Sequence, residues 1–163
     1  MVTSIKGNDT STFGGNIDVP QVVTDAPLAR AKVGSNYTVS ASTWTKVQLS
    51  TEDYDTNNNF DPTTNYRFTP TVAGYYQVNG NLYGIAATSV SRTILRIRKN
   101  GSTETSRVDL ATSQANAILG VSDIVYMNGS TDYLELESYH QGTGTLTVVN
   151  NLTNFSVALV RAV

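Results

Sequence analysis

The stretch RFTPTVAGYYQV, residues 67–78, decides the fold. It consists of a short strand pattern, a corner marked by Pro70 and Gly74, and a second strand pattern rich in aromatic and β-branched residues. Pro70 presets a turn and would be costly within a central strand, because proline cannot donate to the hydrogen-bond ladder. We expect Gly74 to supply backbone freedom where the chain turns between two sheets. The stretch therefore predicts strands joined at a corner.

Short strand patterns continue on both sides of this corner. Residues 92–98 and residues 133–137 alternate between aliphatic and charged side chains, which is typical of half-buried strands. Asn-Gly pairs at residues 100–101 and 128–129 predict type I′ hairpin turns. No window shows a helical period over three turns. Closely spaced short strands with such turn signals favour an all-β sandwich or barrel.

The composition excludes several classes of function. The 163 residues fit one domain, and the net charge of −2 gives no reason to expect binding to nucleic acid or to an anionic membrane. The chain has no cysteine, so disulfides, zinc–thiolate sites and cysteine nucleophiles are excluded. No run approaches the ~18 apolar residues of a membrane span, so we expect no membrane insertion.

The chain divides into two parts. Residues 1–25 are rich in glycine, serine and asparagine and predict a flexible N-terminal arm or linker. Such a segment is either a disordered terminus or an arm that docks on a partner. It lacks the apolar region of a signal peptide. Residues 26–163 contain the strand patterns and predict one β domain.

The spacing around the corner resembles the signature of C1q-like domains. The intervals between successive positions are five, four, seven, five, one and one residues. The positions that carry the resemblance are Leu49, Asp55, Phe60, Phe68, Gly74, Tyr76 and Val78. Except for Asp55, we expect these residues in the structural core, together with Phe155. Residues 154–160 also resemble the closing strand of that family, so the resemblance covers roughly residues 28–163.

The resemblance implies a ten-strand jelly-roll sandwich that assembles as a homotrimer. In that arrangement, one sheet buries its outer face against two other subunits about a threefold axis. A strand that is apolar on both faces suits burial on both sides. The closing strand fits this requirement, with Phe155, Val157 and Leu159 facing the core. Three residues are then predicted to face neighbouring subunits: Ala158, Val160 and Ala162.

The resemblance also places the strand of Arg96 and Arg98 beside the strand of Glu135 and Glu137. We expect these side chains to face solvent as cross-strand ion pairs, each contributing about 0.2–1 kcal/mol. The alternative is that the two arginines, with Arg92, form a basic stripe that binds an anionic glycan.

Few residues suggest chemistry. His140 has no second histidine at a metal spacing and no nucleophile motif, which argues against a catalytic or metal-binding role. It stands beside Gln141-Gly142 at the end of a strand pattern, so it is expected to be a loop residue. The acidic run containing Asp53, Asp55 and Asp61 is a weak calcium candidate, because close oxygen ligands suit that ion. The alternative to a calcium site is that this run forms turns in which Asp and Asn side chains hydrogen-bond the nearby backbone. No other cofactor and no enzymatic activity are expected.

Carbohydrate binding is a further hypothesis, because tyrosine combines an apolar ring with a polar tip. The candidates are Tyr37, Tyr54, Tyr83 and Tyr139.

The phrases at residues 43–47 and 65–76 resemble C1q-like domains of tailed bacteriophages. That resemblance implies a virion surface protein on the capsid or tail. Its role would be host attachment at a tail fibre or spike tip, through a cell-surface glycan or protein, or capsid decoration, held to other virion proteins through residues 1–25. If Met1 is the native start, decoration is favoured; if the sequence is cut from a longer fibre, attachment is favoured. The alternative is a secreted, extracellular C1q-like adhesin or carbohydrate-binding module.

Overall fold

A computed structural model describes residues 26–86, 90–111 and 115–163, so the predicted arm, residues 1–25, lies outside the described residues. Within these ranges every regular element is a strand, and no helix is present that could cross a membrane. The strands are β1 Leu28–Lys32, β2 Tyr37–Ser40, β3 Thr45–Lys46, β4 Thr51–Asp55, β5 Phe60–Asp61, β6 Arg67–Phe68, β7 Ala73–Ala86, β8 Val90–Lys99, β9 Thr103–Ala111, β10 Asn116–Asn128, β11 Leu134–Gly142, β12 Thr145–Val148 and β13 Asn154–Ala162.

These strands form two antiparallel sheets. The seven-stranded sheet has the order β2-β12-β7-β13-β1-β4, with β10 on the other edge of β7. The six-stranded sheet has the order β5-β6-β11-β8-β9, with β3 also paired to β11. Ten of the strands in the described ranges contain four or more residues, while β3, β5 and β6 contain two each. The all-β, two-sheet sandwich predicted from the sequence is therefore confirmed.

Strand β7 organises the seven-stranded sheet. It pairs with β10 along Ala73–Ile85 on one edge. On its other edge it pairs first with β13 and then with β12. Because successive side chains of a strand point to opposite faces, every second residue of β7 enters the core. The remaining side chains of β7 point away from the sandwich.

The corner at residues 67–78 places two aromatic rings in the core. The rings of Phe68 and Tyr76 pack edge to face, with 5.6 Å between their centroids and 61° between their planes. The Tyr76 hydroxyl donates a 2.7 Å hydrogen bond to the carbonyl oxygen of Val72. This bond satisfies the only polar atom of a buried aromatic side chain. The apolar residues expected in the core are all buried: Leu49, Phe60, Phe68, Tyr76, Val78 and Phe155.

Gly74 has a different role from the one predicted. It lies within β7, and its φ is not in the left-handed region. A Cβ at this position would collide with the carbonyl oxygen of Arg161 and come within 2.7 Å of Leu159 Cδ1. The glycine is therefore required for the close approach of β13 rather than for a turn.

The two Asn-Gly pairs also behave differently from each other. Asn100 and Gly101 have φ values of 56° and 62°, as a type I′ turn requires, and they join β8 to β9. The second prediction is wrong. Asn128 ends β10 in one sheet, β11 begins at Leu134 in the other, and a two-residue hairpin cannot join strands of different sheets. The Asn128 side-chain oxygen instead accepts hydrogen bonds from the backbone of the connecting loop.

Alkaline pH should reveal the burial of Tyr76. Burial raises the pKa of Tyr76 to about 12, from 10.0 for an ordinary tyrosine. The folded state disfavours the phenolate, so the stability due to this group is complete below pH 10.0 and is lost as the pH rises through about 12. We expect Tyr76→Phe to lower the free energy of unfolding near neutral pH and to make its decline with rising alkaline pH shallower. Urea unfolding at a series of pH values measures both effects.

The matched control is Tyr54→Phe, which removes a hydroxyl from an exposed ring of β4. Burial also raises the pKa of Tyr37 to about 12, so the decline in Tyr76→Phe should be reduced rather than abolished. Equal declines in the wild type and Tyr76→Phe would contradict the assignment.

Candidate functional site

The side of the seven-stranded sheet that points away from the core, here called the outer face, carries large apolar side chains. Ile118 and Val160 are 73% and 60% exposed. The rings of Tyr75 and Tyr126 lie 5.6 Å apart on the same face. Residues Ala117, Leu119 and Val121 of β10 alternate with these side chains and are buried in the core. Strand β10 is therefore apolar on both sides where Ile118 lies.

Polar side chains separate the apolar ends of the outer face. Asn81 donates a 3.2 Å hydrogen bond to the side chain of Asn154, and the Gln77 amide donates to Asn79. We call these four amide side chains, Gln77, Asn79, Asn81 and Asn154, the amide belt. Beside it lies a groove of about 380 Å³ at Gly120, which has no side chain to fill the space. The side chains around the groove are Asn81, Tyr83, Ile118, Leu152 and Asn154.

The closing strand does not alternate as predicted. Three residues were expected to share the outer face: Ala158, Val160 and Ala162. A bulge lies between Leu159 and Arg161, so that Arg161 pairs with Tyr75 and Ala162 pairs with the buried Gly74. Because a one-residue shift exchanges the two faces of a strand, Arg161 takes the place expected for Ala162. Val160 is exposed at the bulge itself.

The charged residues of β8 and β11 lie opposite one another as predicted, but they do not face solvent as predicted. Glu137 lies opposite Arg96 and Glu135 lies opposite Arg98 in the register of β11 and β8. Glu137 Oε2 lies 2.6 Å from Arg96 Nη2 and 3.3 Å from Arg98 Nη1. Glu135 is buried and pairs with Lys46, with 2.6 Å between Nζ and Oε2. The expectation of solvent-facing pairs is therefore wrong, since neighbouring side chains cover these groups.

Trp44 covers Arg96, and nothing in the sequence pattern marked it as a site residue. Its ring centroid lies 3.4 Å from the guanidinium carbon of Arg96 and 5.2 Å from the ring centroid of Tyr139. Trp44 comes directly before β3, which pairs with β11 at Glu137 and Ser138. That pairing carries the indole across β11 to Arg96. We call Trp44 and Tyr139 the aromatic platform.

The arginines do not form a free basic stripe. Arg92 holds both carboxylate oxygens of Asp109, and its Nε lies 2.8 Å from Asp109 Oδ1. This hydrogen bond and the charge of the guanidinium lower the pKa of Asp109 below its usual value. Since Arg96 is likewise paired with Glu137, the geometry gives no support to the anionic-glycan alternative.

His140 is not a loop residue, contrary to the sequence-based expectation. It lies within β11, is fully buried, and pairs across the sheet with buried Thr93. Its Nε2 lies 3.2 Å from the carbonyl oxygen of Gly144. The Nδ1 atom of His140 and the hydroxyls of Thr93 and Ser138 have no hydrogen-bond partner in the described part of the chain. These groups face the interior, where a substrate has no access.

The structure does not bring the three calcium candidates together. Asp53 pairs with Arg30 and Lys32. Asp55 Oδ2 accepts a 2.7 Å hydrogen bond from the backbone N–H of Phe60. Asp61 accepts hydrogen bonds from Thr64, Thr63 and Asn65, and these hold its pKa far below the usual value. No three acidic, histidine or cysteine side chains form a metal-binding group within the described ranges. The Asx-turn alternative describes Asp55 and Asp61.

The four tyrosines proposed for carbohydrate do not form one site. Tyr37 accepts a hydrogen bond from the backbone of Gln48, Tyr54 is exposed on β4, and Tyr83 lies in the groove of the outer face. Tyr139 lies on the other sheet, beside Trp44.

Comparison with known proteins identifies the architecture. No protein-family model matches the sequence, and no curated protein matches it. The globular domain of zebrafish complement 1qA protein is similar in structure, with 17% identity and a TM-score of 0.62 over 85% of this chain and 99% of that chain. Murine APRIL is also similar, with 9% identity and a TM-score of 0.61 over 83% of this chain and 99% of that chain. These identities show the fold alone, which is the C1q/TNF-type jelly roll.

The half-buried ion pair of Glu137 should contribute more to stability than the exposed pair of Asp109. Glu137→Gln removes the carboxylate that Arg96 and Arg98 share and leaves Arg96, which Trp44 covers, with Glu104 alone. We therefore expect a loss of about 1–3 kcal/mol in the free energy of unfolding. Asp109→Asn should cost clearly less, because exposed ion pairs contribute little. Urea unfolding of the two variants measures the difference, and equal losses would show that the cover by Trp44 has no energetic effect.

Proposed function

We propose that the protein is a non-enzymatic binding module that acts as a homotrimer. The outer face carries the proposal: exposed isoleucine, valine and tyrosine side chains follow β7, β10 and β13 of a C1q/TNF-type jelly roll. Large exposed apolar side chains bordered by polar groups are typical of an interaction site. The resemblance to C1q-like domains supports a threefold arrangement, in which this face contacts two further copies of the chain.

The shape of the outer face supports the same proposal. A ring of three subunits uses a heterologous interface, in which a projection on one copy enters a recess on the next. The face offers both parts, because Ile118 and Val160 project from it while Gly120 leaves a groove. The amide belt supplies hydrogen-bonding groups that would fix the relative orientation of the copies.

A charge placed at the centre of the projection should dissociate the trimer. Ile118→Glu introduces a carboxylate where the proposal requires desolvation, and burying an unpaired charge is strongly unfavourable. We expect light scattering coupled to size exclusion to report a trimer for the wild type and a monomer for Ile118→Glu. Far-UV circular dichroism should be unchanged, because the side chain is exposed in one copy.

Thr103→Glu, an exposed position on β9 of the six-stranded sheet, is the matched control and should remain trimeric. A wild-type protein that is monomeric at micromolar concentration would contradict the assembly. So would a trimer that survives Ile118→Glu.

We further propose that this module lies on the surface of a virion, in the capsid or tail. Its support is the resemblance of residues 43–47 and 65–76 to C1q-like domains of tailed bacteriophages. A cysteine-free chain rich in threonine and asparagine agrees with that origin. Host attachment and capsid decoration are the two roles, and in either one residues 1–25 would bind another virion protein. A secreted adhesin is the alternative, and the exposed aromatic platform suits its carbohydrate-binding form.

Electron microscopy of virions labelled with antibody and gold tests the location. Label at the fibre tips is expected for attachment, and label on the capsid shell is expected for decoration. Pre-immune serum on the same preparation is the control. Label absent from virions, with the protein recovered from the medium of intact cells, would support the secreted alternative.

A further inference from the structure

The aromatic platform presents one face of an indole to solvent. Trp44 is 36% exposed, although the Arg96 guanidinium lies 3.4 Å below its ring centroid and Tyr139 lies beside it. Arg96 is itself fixed by Glu137 at 2.6 Å and by Glu104 at 3.1 Å. The guanidinium therefore covers one face of the indole and is itself held in place. The area that remains exposed belongs to the opposite face and the edge of the ring.

The platform also lies on a well-packed part of the sheet. Ile94 points outward between Thr93 and Leu95, which both face the core, yet it is only 4% exposed. Its cross-strand neighbour in the register is Tyr139. An apolar side chain on this face is thus covered, as expected if the aromatic rings lie down on the sheet. A surface of this kind is formed in advance, so a ligand does not have to order it.

Each guanidinium around the platform is paired with a carboxylate. Arg92 is paired with Asp109, and Arg107 lies 3.7 Å from Glu104 and 3.4 Å from Asp109. Arg96 pairs with Glu104 and Glu137, and Arg98 pairs with Glu137. These groups provide hydrogen-bond donors and acceptors, but no guanidinium among them lacks a carboxylate partner.

We propose that the aromatic platform binds a neutral saccharide, with the apolar face of a pyranose ring stacked on the indole of Trp44. The ring offers a large, rigid apolar surface, and the surrounding guanidinium and carboxylate groups can hydrogen-bond hydroxyls that point outward from the sugar. Because each guanidinium is already paired with a carboxylate, a sulfated or uronic acid glycan would have to compete with that partner. The inference names the ligand of the proposed binding module and rests on that function. It places the ligand on the sheet opposite the subunit interface.

The single tryptophan gives a direct readout, because fluorescence excited selectively at the indole reports on Trp44 alone. Titration of the full chain with neutral oligosaccharides of glucose, galactose, mannose and N-acetylglucosamine should change the emission saturably for at least one of them. A heparin hexasaccharide and an oligogalacturonate are the anionic probes and should produce no saturable change. Light scattering on the same samples reports the oligomeric state.

Variants then locate the site by calorimetry with the best neutral probe. Trp44→Ala should weaken binding at least about tenfold, and Trp44→Phe should weaken it less, because a smaller ring remains. Trp44→Phe also carries the test if the alanine variant does not fold. Tyr54→Ala removes an equally exposed aromatic ring from β4 on the other sheet and should bind as the wild type does.

The outcomes test the saccharide proposal separately from the proposed trimer. Absence of binding to every neutral probe, binding to the anionic probes alone, or loss of binding in Tyr54→Ala but not in Trp44→Ala would overturn the proposal. If the wild type is trimeric and binds no neutral sugar, the ligand assignment fails while the assembly stands. If it is monomeric but binds sugar through Trp44, the assembly fails while the ligand assignment stands.

Discussion

The pairing of β7 along both of its edges is the constraint on which the rest of the structure depends. With β10 on one side and β13 and β12 on the other, its backbone groups are satisfied by neighbouring strands. Its side chains must then divide between two faces. One set, which includes Tyr76 and Val78, enters the core, and the other set forms the centre of the outer face. Core and candidate interface are therefore two sides of one strand.

The two sheets divide the surface into regions with different chemistry. The outer face of the seven-stranded sheet has exposed apolar side chains at its ends and amides between them. The corresponding surface of the six-stranded sheet has paired charges and an aromatic platform. Exposed apolar and amide side chains suit association between copies, whereas ion-paired groups around an aromatic ring suit a hydrated ligand. The proposed assembly and the proposed recognition would be compatible, because they use opposite sides of the sandwich.

Local sequence predicted the features that depend on local chemistry. The corner at residues 67–78, the buried rings of Phe68 and Tyr76 and the turn at residues 100–101 all follow from side-chain alternation and turn propensity. Features that depend on register between distant strands were not predictable in this way. The bulge at Val160 shows only in the pairing of β13 with β7, and no residue type in the closing strand signals it. The position of Trp44 over Arg96 also requires knowing that β3 pairs with β11. His140 was expected in a loop because Gly142 follows it so closely, whereas β11 continues to Gly142.

The position of β13 has a consequence for how the chain folds as it is synthesised. The strand lies between β1 and β7, so the earliest strand described here meets its sheet only through residues 154–162. Until these residues leave the ribosome, β1 and β7 each keep an open edge, and the apolar surface beneath them is incompletely covered. Closing the sheet therefore joins strands that are far apart in the sequence. Contacts of such long sequence separation form slowly. The domain can complete its folding only after residues 154–162 have emerged, and the unpaired edges in the interval are where a chaperone would bind or where misassembly would begin.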